Sequence, residues 1–345
     1  MGLKASIAVA GAGVIGSTIA LTLARAGYRV RAFDPAPVGE NASGVAAGML
    51  APAFETLFDP GAAGGFELLR EARDAWPTFA SSIGLPIDRA GAVVLGRASD
   101  VATWADRMAG FGAVAERLGP TTVAAKVPGA QPGAEGLFSS DDWRIDAAAG
   151  TQALHRACSA AGVGREARAL SEPPRDADLL VVATGASRSL LGIVPEIRAL
   201  TPIKGHILRA PFVGGGGPVL RGEGVYLCVG ANEVVLGASM EVGRDDRRID
   251  PVVVADLIQR VERLRPGAGR LAWRAQTGVR AATPDGLPLV GWAERPGVML
   301  AVGARRNGWL LAPLAAEAVL AVVEGRRRTW AAELFDPARL VSQPG

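Results

Sequence analysis

Histidine and cysteine are nearly missing from this chain, with two of each among 345 residues. His155 and His206 stand far apart, which excludes histidine-rich metal centres and leaves little room for a Ser–His–Asp triad. Cys158 and Cys228 match no metal-binding or redox spacing and read as buried apolar fillers in a reducing compartment. Neither charge sign dominates: 37 Lys+Arg against 34 Asp+Glu leave a net +3. The densest basic cluster, Arg326–Arg328, falls at an expected helix end, where cations complement the dipole, so nucleic acid is not an expected partner. No uninterrupted apolar run reaches the roughly 18 residues of a spanning helix. The first 27 residues superficially resemble a secretory leader, but Gly11, Gly13 and Gly16 would be out of place in its apolar core. The expectation is a soluble cytoplasmic protein without a cleaved leader or a membrane span.

What the chain does have is glycine in a telling place. Ile7–Ala10 is a short apolar run suited to a buried parallel strand, and Gly11, Gly13 and Gly16 follow as G-x-G-x-x-G. The first glycine makes the tight turn, and the second lets a pyrophosphate approach the backbone. The third lets the next helix pack closely on its strand. That helix offers free N–H groups and a positive dipole end to phosphates. Arg29–Phe33 reads as the second strand, and Asp34 closes it where a carboxylate can bond a ribose hydroxyl. A 2′-phosphate would be repelled there, which disfavours NADP. The motif alone leaves FAD and NAD open.

The rest reads as an α/β chain of more than one domain. Residues 39–52 are almost all small, which lets backbone lie against a flat ligand. Phe66–Ile83 has helical periodicity with a break at Pro77, Ala90–Leu95 reads as a strand, and Asp100–Leu118 as one amphipathic helix. Thr121–Gly136 reads as a Pro/Gly-rich connection, followed by a strand and a helix capped by Asp146. Asp178–Ala186 is uniformly aliphatic before Thr184-Gly185, a return to the parallel sheet. Gly224–Gly230 and Val234–Met240 form a hairpin in a mainly antiparallel sheet. Val298–Val302 could rejoin the parallel sheet, and a helix follows Arg306-Asn307-Gly308. The expected division is a Rossmann-type domain from residues 1–85, 143–202 and 276–345. A substrate domain of antiparallel sheet and helices takes residues 86–142 and 203–275.

Several segments in order carry a resemblance: Gly11–Gly16, Ala46-Ala47-Gly48-Met49-Leu50-Ala51-Pro52, Pro202-Ile203-Lys204-Gly205, Gly278-Val279-Arg280, and Arg306-Asn307-Gly308-Trp309-Leu310. The chain resembles, nearly end to end, the glycine oxidases of thiamine biosynthesis within the D-amino-acid-oxidase superfamily of flavoproteins. The resemblance implies FAD. It puts Val14 and Ile15 at the pyrophosphate, Asp34 and Pro35 at the ribose, and Ala42 and Ser43 on the phosphates. It puts Ala46, Ala47, Gly48 and Met49 along the flavin ring, and Ala169 and Gly185 on the adenosine side. Ala304, Arg305, Arg306, Asn307, Gly308, Trp309 and Leu310 would pass under the pyrimidine edge. For substrate, Arg280 matches the carboxylate-binding arginine, Tyr226 the hydroxyl beside it, and Arg306 a second anchor.

The implied reaction is hydride transfer from Cα of glycine or another small amino acid to flavin N5. It gives an imine for thiazole synthesis and, with molecular oxygen, hydrogen peroxide. No side-chain base is implied, since the cofactor supplies the chemistry. Two alternatives stay open: a D-amino acid or N-methylamino acid dehydrogenase using an electron carrier, and a non-catalytic flavoprotein subunit. A homo-oligomer is compatible with either. The family carries His and an aromatic before Arg-Asn-Gly, where this chain has Ala304 and Arg305. It also carries Pro-Arg after the tyrosine, where this chain continues Leu227-Cys228-Val229-Gly230.

Overall fold

The computed structural model describes residues 5–59, 65–327 and 329–341. Residues 1–4 of the leader-like stretch, residues 60–64, Arg328 of the basic cluster and residues 342–345 lie outside them. Six strands form the sheet behind the glycine turn. Their order is Leu289–Trp292, Val298–Val302, Leu179–Val182, Ser6–Ala10, Arg29–Phe33 and Gly164–Glu166. Only Leu289–Trp292, at one edge, runs antiparallel to its neighbour. Both faces are covered, which is why Ile7–Ala10 shows no polar alternation. Ile7 and Val9 pack with the helices Val14–Arg25, Ala147–Ala160 and Gly308–Val323, while Ala8 and Ala10 pack with Leu180, Leu190 and Ile197.

The second sheet has nine strands and is antiparallel except where Val219–Gly222 runs parallel to Ala92–Gly96. One face is covered by the helix Pro251–Leu264 through Leu257, Val261 and Leu264. The other face, with Ile207, Cys228 and Val235, packs against Phe54 and Leu57 of the helix Pro52–Phe58. Its strand Arg274–Ala282 pairs along nine residues with Thr201–Pro211. At its end Ala282 bridges Ala304, and the Arg305 amide donates to the Ala281 carbonyl at 2.8 Å. That strand therefore joins the nine-stranded sheet to the loop leaving the six-stranded one.

Most expected elements stand where the pattern put them, with two corrections in the middle of the chain. The helix expected over Asp100–Leu118 is Ala98–Gly110, and Glu116–Leu118 is a strand paired with Glu135–Ser139. The expected connection Thr121–Gly136 contains a helix, Pro120–Lys126, opened by proline at its first position and anchored by buried Val123. The break expected at Pro77 falls at Ala75: Gly65–Asp74 and Trp76–Ser82 are separate helices, and Pro77 sits in the first turn of the second. Both cysteines are free and buried, and burial pushes the Cys158 thiol up to about 11. Among the described residues no helix is long and apolar enough to cross a membrane.

Candidate active site

The glycine turn shapes one end of a cavity of about 610 Å³ at the C-terminal ends of the parallel strands. A Cβ on Gly11, whose φ is +99°, would stand 2.2 Å from the Ala183 carbonyl oxygen; one on Gly16 would stand 2.0 Å from the Gly11 oxygen. Gly16 thus lines no cavity and acts by packing. Gly13 is extended, with only Ser43 Oγ near where a Cβ would be. Its face, with Val14 and Ile15, lies open to the cavity. The first-turn amides of Val14–Arg25 have no intrahelical acceptors. The Val14 amide donates instead to Ser43 Oγ at 2.9 Å. Asp34 accepts from the Ala12 amide at 2.8 Å and the Ala36 amide at 2.9 Å, which fixes the carboxylate at the cavity wall. Pro35, Ala169 and Gly185 line the same end.

Toward its other end this cavity meets a second one of about 420 Å³, and Ala42, Ala46, Arg280, Arg306 and Trp309 line both. Ala47, Gly48, Met49 and Asn307 line the second cavity only; Ser43, Ala304, Arg305 and Gly308 line the first only. Leu310 lines neither and is 1% exposed, a core residue of its helix. Gly48 has φ +75°, and a Cβ there would strike the Ile145 carbonyl at 2.2 Å. The small-residue loop is therefore required for fit on its outer side. Trp309 Nε1 donates to the Ser43 carbonyl at 2.9 Å, and Trp76 Nε1 donates to the Trp309 carbonyl at 3.0 Å. These bonds hold the start of Gly308–Val323 beside the short helix Ala42–Val45, so its dipole end faces the meeting point.

Arg280 lies across its own sheet. Its guanidinium covers Gly205 on the neighbouring strand, where a Cβ would come 2.5 Å from Nη1 and 2.8 Å from Nη2. Gly278, two residues earlier, lets Ala42 and Val45 sit close on the same strand. Arg280 makes only long contacts, 3.4 Å to the Ser239 carbonyl and 3.7 Å to Met240 Sδ, and no ion pair among the described residues. Tyr226 crosses Gly237 in the same manner, with a notional Cβ 2.2 Å from its hydroxyl. Burial pushes that hydroxyl up to about 12 despite the nearby Arg280 charge, so it stays a donor. Burial lowers the Arg280 guanidinium from its ordinary value, partly offset by Tyr226.

Arg306 is tied to a residue the sequence reading did not single out. Its Nε donates to Glu55 Oε2 at 2.5 Å, and Glu55 Oε1 lies 3.5 Å from Arg221 Nη1. Burial works to raise the Glu55 carboxyl, but the charges and hydrogen bonds of Arg306 and Arg221 outweigh it and hold it low. Arg305, in the place of the family aromatic, has φ +49° and pairs with Asp59. Glu55 and Arg221 had a weak signal in sequence: each is a charge set among apolar neighbours, in Ala53-Phe54-Glu55 and Val219-Leu220-Arg221. A lone charge in an apolar run marks a buried partner.

A phosphate-receptive glycine turn opening into an arginine-lined chamber defines a nucleotide-dependent redox enzyme of the doubly wound type. The chain belongs to the D-amino-acid-oxidase-type family described as FAD dependent oxidoreductase, which matches residues 6–321. A protein named glycine oxidase from Geobacillus kaustophilus is 27% identical over 372 residues, covering 98% of each chain. One from Rhizobium etli named putative thiamine biosynthesis oxidoreductase is 30% identical over 321 residues, covering 89% of this chain and 93% of its own. The crystal structure of the Geobacillus kaustophilus glycine oxidase superposes with a TM-score of 0.85 at 24% identity, over 99% of this chain and all of that one. The fold is thus shared along the whole length. The cofactor is FAD, and the site fits it: the open Gly13 face, the first-turn amides and Asp34 suit an adenosine diphosphate, and the joined cavities suit a long ligand.

Proposed function

We propose that the protein oxidises glycine or another small amino acid to its imine, with oxygen as acceptor and hydrogen peroxide as second product. The relative named for thiamine biosynthesis supports placing that imine in thiazole formation. The observation that carries the reading is Arg280: a guanidinium without a carboxylate partner, beside a donor hydroxyl, where the two cavities meet.

FAD would be held by Gly11, Gly13, Val14, Ile15, Asp34, Pro35 and Ser43 at its adenosine and phosphate end. Ala169 and Gly185 would flank that end. Ala42, Ala46–Met49, Ala304–Asn307 and Trp309 would hold the other end. The chemistry supplied by bound FAD is acceptance of a hydride from an amine-bearing carbon. The chain's task is to bind and orient. The Arg280 fork takes the substrate carboxylate bidentately, and the Tyr226 hydroxyl donates a further bond. Two fixed points on the carboxylate leave Cα one face to present, which is worth much of the barrier as lost rotational freedom. Glu55 is held in its charged form by Arg306 and, more loosely, by Arg221, so it acts as a counter-charge and not as a base. The positive end of Gly308–Val323 favours negative charge developing at its start.

The domain division at residues 85/86, 142/143, 202/203 and 275/276 is part of this proposal. Its last boundary falls inside the strand Arg274–Ala282, all of which, Arg280 included, pairs with Thr201–Pro211 in the nine-stranded sheet. Cytoplasmic residence, suited to free buried thiols, belongs to it too.

The test is spectroscopic. Purified protein should be yellow, and glycine or sarcosine should bleach it anaerobically, with peroxide released once air is admitted. A yellow protein that no amino acid bleaches overturns the proposal. Fast bleaching with negligible peroxide, but rapid turnover with an artificial acceptor, would replace oxygen by an electron carrier.

A further inference from the structure

The second cavity carries more positive charge than one carboxylate requires. Among the described residues three guanidinium groups line it, those of Arg221, Arg280 and Arg306, against two carboxylates, Glu55 and Glu223. Glu223 is turned outward and pairs with Arg263 at 2.9 Å. Glu55 is taken at 2.5 Å by Arg306. Arg221 is 8% exposed, yet its bonds are poor: 3.5 Å to Glu55 and 3.2 Å to the weak acceptor Met49 Sδ. Its Nε is buried and has no hydrogen-bond partner. Asp142, behind the cavity wall, spends its oxygens on the Ala53 and Phe54 amides at 2.8 and 3.2 Å. The Arg221 Nε faces protein, with the Phe54 ring 5.6 Å from the guanidinium. The geometry left for a ligand is at the terminal nitrogens, whose one carboxylate contact among the described residues is 3.5 Å long. A buried guanidinium so loosely paired is short of negative charge.

We infer that Arg221 is a second anion-binding residue, and that the preferred substrate is an amino acid carrying two carboxylates. Arg280 takes one carboxylate and Arg221 the other, with the oxidised carbon between them. This rests on the proposed amino acid oxidation and names its substrate class. Arg306 stays with Glu55 and belongs to neither carboxylate. The second carboxylate sits on the side chain or on the nitrogen substituent; both arrangements present the same pair of anions.

Two measurements on the FAD-loaded protein test it. First, kcat/KM is compared between glycine, sarcosine and D-alanine on one hand and iminodiacetate, D-aspartate and D-glutamate on the other. At least one dicarboxylate should exceed every monocarboxylate by tenfold or more. Second, calorimetry reads the Kd of unreactive malonate, succinate and glutarate against acetate. The best dicarboxylate should bind at least tenfold tighter than acetate. Arg221→Gln should bring both ratios close to one. Arg221→Lys, which keeps the charge and guards against a folding failure, should retain part of the preference. Equal binding of acetate and all three dicarboxylates by the unaltered protein overturns the inference, as does a preference that survives Arg221→Gln. Oxidation of monocarboxylates alone overturns it too and leaves the oxidase reading standing. If no amino acid of either kind bleaches the flavin, the oxidase reading fails, and the calorimetry still decides whether Arg221 binds an anion.

Discussion

Glu55 and Arg306 are locked end to end across the substrate cavity, with the Glu55 side chain 6% exposed and Arg306 27%. They come from opposite ends of the chain, 251 residues apart. Neutralising Glu55 leaves buried Arg221 and half-buried Arg306 without their shared counter-charge. Glu55→Gln should therefore cost about 3 kcal/mol of stability. Denaturant midpoints with an unchanged m-value would register it, and a shift below a third of that figure would show the pair to be solvent-screened.

Arg280→Ala removes a bidentate, charge-assisted contact worth roughly 3 kcal/mol, so KM for the amino acid should rise about 100-fold. The visible spectrum of the flavin should persist. Arg280→Lys should recover little, because a point charge cannot reproduce the fork. Unchanged kinetics in either variant would remove Arg280 from the carboxylate site.

Gly205 lines the second cavity beneath Arg280, and the methyl of Gly205→Ala would stand 2.5 Å from Arg280 Nη1. The guanidinium is the flexible end of its side chain and can move aside without refolding the strand. KM should rise about tenfold, as for one lost charge-assisted bond, with Tm nearly unchanged. A normal KM would mean the guanidinium has room to spare.

Gly16→Ala meets backbone instead, 2.0 Å from the Gly11 carbonyl oxygen. Neither partner can yield without reshaping the turn. The purified variant should be colourless, or lose its flavin on gel filtration, while unaltered protein stays yellow. Full flavin content would contradict the packing role assigned to Gly16.

Asp142 sets a pH dependence of stability. Burial pushes its carboxyl up to about 7, against the lowering pull of Arg221. In the unfolded chain a carboxyl of this type titrates near 3.9. Between those values the folded protein binds the extra proton, so stability falls as pH rises from about 4 to about 7, then levels. Glu55 contributes with the opposite sign, its carboxyl held low, so its share is lost only at pH below its ordinary 4.5. Asp142→Asn should flatten the profile between pH 5 and 7, roughly the window set by those limits. Parallel profiles for the two proteins would rule Asp142 out as the source.

How far the sequence carried depended on whether the signal was local. Ile7–Ala10, the glycine turn and Asp34 could be read because strand, turn and helix each impose their own residue types within a few positions. The helix Ala147–Ala160 could be read at its start because Asp146 carries the cap signature, and its carboxylate accepts from the Ala149 amide. The strand Glu116–Leu118 was missed because three residues with a single buried leucine have no period, and only its pairing with Glu135–Ser139 makes it a strand. The same holds at the site. Arg280 and Tyr226 sit in recognisable segments, whereas the meeting of Glu55, Arg221 and Arg306 exists only after three distant stretches converge.

The nine-residue pairing of Arg274–Ala282 with Thr201–Pro211 ends in the Ala282–Ala304 bridge. Mechanically that makes a tie-rod between the two halves of the molecule. A clamshell opening would have to break the tie at the bridge, two residues from Arg280. Ligand exchange is thus left to local side-chain and loop motion, on the nanosecond-to-microsecond scale, and not to slower rotation of whole domains. The spacing between Arg280 and the 304–306 loop is set by two peptide units of strand and the hydrogen-bonded bridge beside them, so the two stand at one gauge.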